Sequence, residues 1–98
     1  MKLRINPLVA KDLKSIKDYI AEDNADKALE IIQEIYRQFE NIHSFPYIGA
    51  DLSKRVSFKT DYKYVVWQDY VVLYKVVKET VEIYRVVNRY QDITRIFE

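Results

Sequence analysis

The sequence predicts an α+β fold: a two-helix hairpin packed on one face of a twisted, mainly antiparallel sheet, in the order β-α-α-β-β-β. Three observations predict it. Apolar residues recur at helical spacing in two segments between residues 8 and 44. Residues 62–87 are dense in Val, Tyr, Ile and Trp, the set favoured in strands. Short polar pairs interrupt that second region, as hairpin turns require. With 98 residues there is room for one core and two layers, so a single domain over residues 1–98 is expected.

The elements follow in order. Leu3 and Ile5 alternate with Lys2 and Arg4, which reads as a short strand over Lys2 to Asn6. Pro7 stops it and suits the first turn of a helix, with Asn6 as N-cap. Val9, Leu13, Ile16 and Ile20 mark one face of a helix from Leu8 to about Glu22, with lysines 11, 14 and 17 outside. Asn24 or Asp23 caps the next helix, Ala25 to Ser44. Its stripe is Ala28, Ile32, Ile35, Phe39 and Ile42, widened by Ile31. His43 falls at the C-terminal end, where the helix dipole favours it. Phe45-Pro46 ends the helix.

Tyr47 to Asp61 reads as loop, with a short strand around Val56-Ser57-Phe58 and a basic pair, Lys54-Arg55. Three strands are then expected: Tyr62–Trp67, Tyr70–Val77 and Val81–Val87. The turns have no glycine. The tail is expected to close with a helical turn from Asp92.

Composition excludes several chemistries. There is no cysteine, so there are no disulfides, thiolate metal sites or cysteine nucleophiles. One histidine and one glycine exclude histidine-rich hydrolase sites and glycine-rich phosphate loops, and no metal or cofactor is expected. No segment approaches the ~18 apolar residues of a membrane span, so no membrane partner is expected. Absence of cysteine fits a cytoplasmic location. Residues 1–50 carry seven Lys/Arg against eight Asp/Glu, and residues 51–98 nine against seven. That shift is too mild to argue nucleic-acid binding from bulk charge.

With two-residue turns, Trp67 pairs Tyr70, Val77 pairs Thr80, and Lys75 faces Glu82 as an expected cross-strand ion pair. One sheet face then carries Lys63, Val65, Trp67, Tyr70, Val72, Tyr74, Val76, Val81, Ile83, Arg85 and Val87. The other carries Tyr62, Tyr64, Val66, Val71, Leu73, Lys75, Val77, Glu82, Tyr84 and Val86. Both are largely apolar, whereas a sheet with one wet face alternates more cleanly. The helices cover one face. The other is expected to be covered by something else or left open for a partner. Lys63 and Arg85 flank Tyr74 on one predicted face. Two cations and a phenol can bind an anion and exchange a proton there. The plainer reading is that these long side chains reach for water.

Several strings, in this order and spacing, resemble the RelE/ParE superfamily of bacterial toxins from type II toxin–antitoxin systems, also known as plasmid stabilisation proteins. They are Ala10-Lys11-Asp12-Leu13-Lys14-Ser15-Ile16-Lys17-Asp18-Tyr19-Ile20-Ala21, then Ile42-His43-Ser44-Phe45-Pro46-Tyr47-Ile48-Gly49. Tyr62-Lys63-Tyr64-Val65-Val66 and Tyr70-Val71-Val72-Leu73-Tyr74-Lys75-Val76 come next. Val81-Glu82-Ile83-Tyr84-Arg85-Val86-Val87-Asn88, followed by Asp92, completes the set. Nearly the whole chain is covered.

The resemblance implies a growth-inhibiting toxin, neutralised by a cognate antitoxin, as a homodimer or a toxin–antitoxin heterotetramer. Two targets follow from it. ParE-like members poison DNA gyrase. RelE-like members are metal-independent endoribonucleases that cut mRNA on the ribosome. For cleavage, Lys63 and Arg85 match positions often basic in the superfamily, and Tyr74 or Tyr90 would take the proton role. Lys54, Arg55 and Arg89 would add phosphate or target contacts. Many relatives carry histidine where this chain has Asn88, and asparagine is no general acid, which tilts the reading towards gyrase. Position 90 is often arginine in the ParE-like pattern and is Tyr90 here. A third reading is a non-toxic interaction module.

Overall fold

A computed structural model describes residues 1–91 and 93–97. The strand β1 (Lys2–Ile5) leads into α1 (Leu8–Ala21) and α2 (Ala25–Ser44). A two-residue strand, β2 (Ala50–Asp51), and a 3-10 turn (Leu52–Lys54) follow. Then come β3 (Lys63–Trp67), β4 (Tyr70–Val77), β5 (Thr80–Asn88) and a second 3-10 turn (Ile93–Phe97). The expected order holds, with β2 as an addition.

The helix starts follow the capping residues. The Asn6 side chain accepts the Leu8 N–H at 2.9 Å, and Asn24 accepts the Lys27 N–H at 3.0 Å. Each satisfies a donor that the first helical turn leaves without a partner. At the far end of α2, His43 Nε2 donates to the Met1 carbonyl at 2.6 Å, which ties the helix to the start of β1.

The sheet order is β1-β5-β4-β3-β2, with β1 parallel to β5 and the other pairs antiparallel. Both hairpins have the expected two-residue turns, pairing Trp67 with Tyr70 and Val77 with Thr80. Gln68 and Lys78 take the positive φ, 52° and 55°, that glycine or asparagine usually supplies.

The helices bury one sheet face. Val9 and Leu13 of α1 and Ile31, Ile35, Phe39 and Ile42 of α2 pack on Val72, Tyr74, Val81, Ile83 and Val86. Of the two outcomes expected for the reverse face, the structure shows the covered one and not the open partner surface, and the cover comes from this chain itself. Leu52 is fully buried against Val71, Leu73 and Val87, and Val56, Ile93, Ile96 and Phe97 pack around them. Phe97 also meets Tyr62, Tyr84 and Phe58, with ring centroids 5.2, 5.8 and 5.7 Å away. The chain therefore covers both faces of its own sheet, which explains why neither alternates cleanly with polar residues.

Three further expectations are corrected. Val56 to Phe58 forms no strand; Val56 packs its side chain on the sheet, and pairing falls instead to Ala50 and Asp51. Val86 and Val87 exchange faces. A bulge lets Tyr74 face Ile83 and Leu73 face Arg85, so Tyr84 is extra and the alternation shifts by one beyond it. Lys75 does face Glu82, but Glu82 is ion-paired with Arg4 of β1 at 3.6 Å, while Lys75 lies over the Tyr62 ring. The expected turn near the C-terminus is present as Ile93–Phe97, and its expected start, Asp92, lies outside the described residues.

Candidate functional site

The expected anion site of Lys63, Tyr74 and Arg85 is not assembled. Lys63 and Tyr74 are cross-strand partners. Lys63 Nζ, however, donates to Asp51 Oδ1 at 2.7 Å, across the β2–β3 pair, and lies 5.9 Å from the Tyr47 ring centre. The lysine holds the exposed Asp51 carboxyl below its ordinary range by hydrogen bond and charge.

Arg85 turns to α1. Its Nε and Nη2 donate to the two oxygens of Asp12, both at 2.8 Å. The same carboxylate accepts the Val86 N–H at 3.0 Å. Val86 lies beyond Ile83, the last residue of β5 paired with β1, and Asp12 supplies an acceptor for its N–H. The guanidinium is thus committed to holding the bulge against the helix, and the Asp12 hydrogen bond raises its pKa further.

Tyr74 is fully buried. Its hydroxyl donates to the Pro46 carbonyl and accepts the Gly49 N–H, each at 2.8 Å. Burial raises its pKa above the ordinary phenol value. Both hydrogen-bonding directions are taken by the chain, so this phenol pins the 46–49 loop to the sheet.

Two of the remaining sequence candidates come together and two do not. Arg55 and Arg89 line one groove of 170 Å³ with Val56, Gln91, Ile93 and Thr94. The Arg55 guanidinium lies 5.3 Å from the Tyr64 ring centre and that of Arg89 5.7 Å from Tyr90. Among the described residues neither arginine has an ion-pair partner. Lys54 contributes charge near Asp51 instead. Tyr90 stands 79% exposed, beside that groove and not within it. Asn88 accepts the Tyr90 N–H at 2.9 Å and so shapes the turn after β5. A second groove, of 330 Å³, lies between α1 and the end of β5, with Asp12, Ile16, Tyr19, Tyr70, Arg85 and Asn88 among its walls.

Sequence reasoning gave no role to Asp12, Asp51 or Gly49. Asp12 did leave a signal: it falls between Val9 and Ile16 on the apolar stripe of α1, where an acid needs a cation from the facing layer.

Comparison with known families settles what the fold alone leaves open. Residues 3–93 match the model of the ParE toxin of the type II toxin–antitoxin system, parDE. The chain belongs to the ParE toxin family. It is the toxin half of a type II toxin–antitoxin module, and a cognate antitoxin of the ParD kind goes with it. Among solved structures, the chromosomal ParDE system from P. aeruginosa contains a similar chain, with a TM-score of 0.75 at 22% identity. That similarity covers 90% of this chain and 95% of the other, and shows a shared fold. No curated protein matches the sequence. No helix of this ParE-family toxin is long and apolar enough to cross a membrane, among the described residues.

Proposed function

We propose that this ParE-family toxin arrests growth by binding DNA gyrase in the cytoplasm, with no mRNA cleavage of its own. The observation that carries the reading is the neutralisation of the charges a nuclease would need. Lys63 is spent on Asp51 and Arg85 on Asp12. A scissile phosphate calls for cations free to follow developing charge, together with a proton donor in reach. Tyr74 is buried and doubly bonded, and Asn88 carries no acidic proton. The ParD-type antitoxin would neutralise the toxin by occupying its target-binding surface, as a toxin–antitoxin heterotetramer or around a toxin homodimer.

The test uses purified toxin with gyrase and supercoiled plasmid, beside a translation extract programmed with a defined message. The expected result is trapped gyrase–DNA cleavage complexes, abolished by the antitoxin, with the message intact. Cleaved message without trapped complexes would overturn the reading in favour of a ribosome-dependent nuclease. Unimpaired growth of cells making the soluble toxin alone would count against any toxic activity of this chain.

A further inference from the structure

The fold sorts the basic residues of the candidate site by what they meet. Lys63 and Arg85 have carboxylates at 2.7 and 2.8 Å. Arg55 and Arg89 have none among the described residues, yet they line the same groove. Two like charges lining one small groove repel each other, a cost that falls when an anion sits between them. Each guanidinium rests beside a tyrosine ring, Tyr64 for Arg55 and Tyr90 for Arg89. Such stacking restrains the planar group while leaving in-plane N–H donors for an acceptor. One donor of Arg89 goes to the Gln68 carbonyl at 3.3 Å, and Gln91 adds an amide to the rim. The groove, at 170 Å³, is smaller than the roughly 300–1,000 Å³ that enclose small molecules and cofactors, but adequate for one tetrahedral anion.

We propose that the groove between Arg55 and Arg89 holds a backbone phosphate of double-stranded DNA. The choice of DNA rests on the gyrase reading, since gyrase acts on duplex DNA. Arginine suits the task because its fork of donors meets two phosphate oxygens at once. Interactions of this kind position a protein on nucleic acid without reading sequence, so the toxin would act on many DNA sequences alike.

The experiment titrates the purified toxin against a short fluorescein-labelled DNA duplex over a range of salt concentrations. The natural chain is compared with Arg55→Gln/Arg89→Gln and with Lys78→Gln, a hairpin-turn control, after thermal melts verify that all are folded. The double variant is expected to bind about tenfold more weakly at low salt. The slope of log affinity against log salt should shallow by about one unit for each phosphate that the variant no longer neutralises. Lys78→Gln should match the natural chain. Equal affinity and slope for the natural and double-variant proteins would overturn the proposal, as would equal weakening in Lys78→Gln. A parallel titration with single-stranded RNA separates the sources: arginine-dependent RNA binding without arginine-dependent DNA binding overturns the assignment to DNA.

The gyrase assay keeps the two readings apart. If the natural toxin traps cleavage complexes and the double variant traps them equally well, the groove proposal fails and the gyrase reading stands. If the natural toxin traps none, the gyrase reading fails and the duplex titration alone decides the groove.

Discussion

A β-carbon at position 49 would lie 2.6 Å from the Tyr74 hydroxyl, 2.7 Å from its ring and 2.9 Å from the Tyr64 carbonyl oxygen. Real β-carbons do not come so close to other atoms, and neither a buried ring nor a strand carbonyl can retreat cheaply. Gly49 has no positive φ, so close approach is what requires it. Gly49→Ala is therefore expected to destabilise the fold by about 1–3 kcal/mol, the usual cost of overpacking. Tyr74→Phe tests the same joint from the other side. It removes the hydroxyl shared by Pro46 and Gly49 and leaves a carbonyl and an N–H short of a partner, at a cost of roughly 1–3 kcal/mol. Urea unfolding of both variants checks this. A stability loss in neither would mean that the 46–49 loop is not held by this joint. The string Phe45-Pro46-Tyr47-Ile48-Gly49 is visible in the sequence as a helix end and loop. That a tyrosine 25 residues beyond Gly49 fastens it is not, because a hydroxyl's partner is set by packing and not by local pattern.

At the level of elements, the junction between α1 and β5 turns on Asp12. Its carboxylate receives two bonds from Arg85 and one from the backbone N–H of Val86. The two partners are not equivalent. Losing Arg85 leaves Asp12 with the Val86 N–H. Losing Asp12 strands both a half-buried guanidinium and a backbone donor. Asp12→Ala is therefore expected to cost more than Arg85→Ala by about 1 kcal/mol, one hydrogen bond's worth. Equal destabilisation in denaturant titrations would mean that the Val86 bond contributes nothing. The bulge marks where sequence reasoning stopped. Pairing counted from the two hairpin turns was right from Lys63 to Val77, and for Thr80 to Ile83 against β4. One inserted residue, Tyr84, then moved Val86 to the helix side and Val87 to the reverse. Alternation has period two, so a single extra residue inverts every later side chain, and nothing in a run of Val and Tyr announces it. The helices were legible throughout because their stripes and caps are local signals. The candidate site was legible only as a set of basic residues, since which of them keep their charge free depends on where Asp12 and Asp51 fall.

Across the whole molecule, closing both sheet faces turns tyrosines into structural groups. Leu52 and the turn at Ile93–Phe97 cover the reverse face, and the helical hairpin covers the front. Tyr62, Tyr70 and Tyr74 lie in these layers, and burial is the leading cause that raises the pKa of each. The sign of the consequence follows directly. The native state holds these protons to higher pH than the unfolded chain, whose phenols titrate near ~10. Below that value all three phenols are neutral in both states, and their contribution to stability is complete. As pH rises through ~10 the unfolded chain ionises first and binds fewer protons, so stability falls until the native phenols ionise as well. Urea unfolding across this alkaline range should show a steep loss, with phenolate absorbance appearing together with unfolding. The decisive comparison is between the natural chain and Tyr74→Phe. The variant starts less stable, yet its stability should decline with pH at a shallower slope because one buried phenol is gone. Identical slopes would mean that Tyr74 ionises without disturbing the layer it joins, and that the loop at Pro46 and Gly49 yields before the core does.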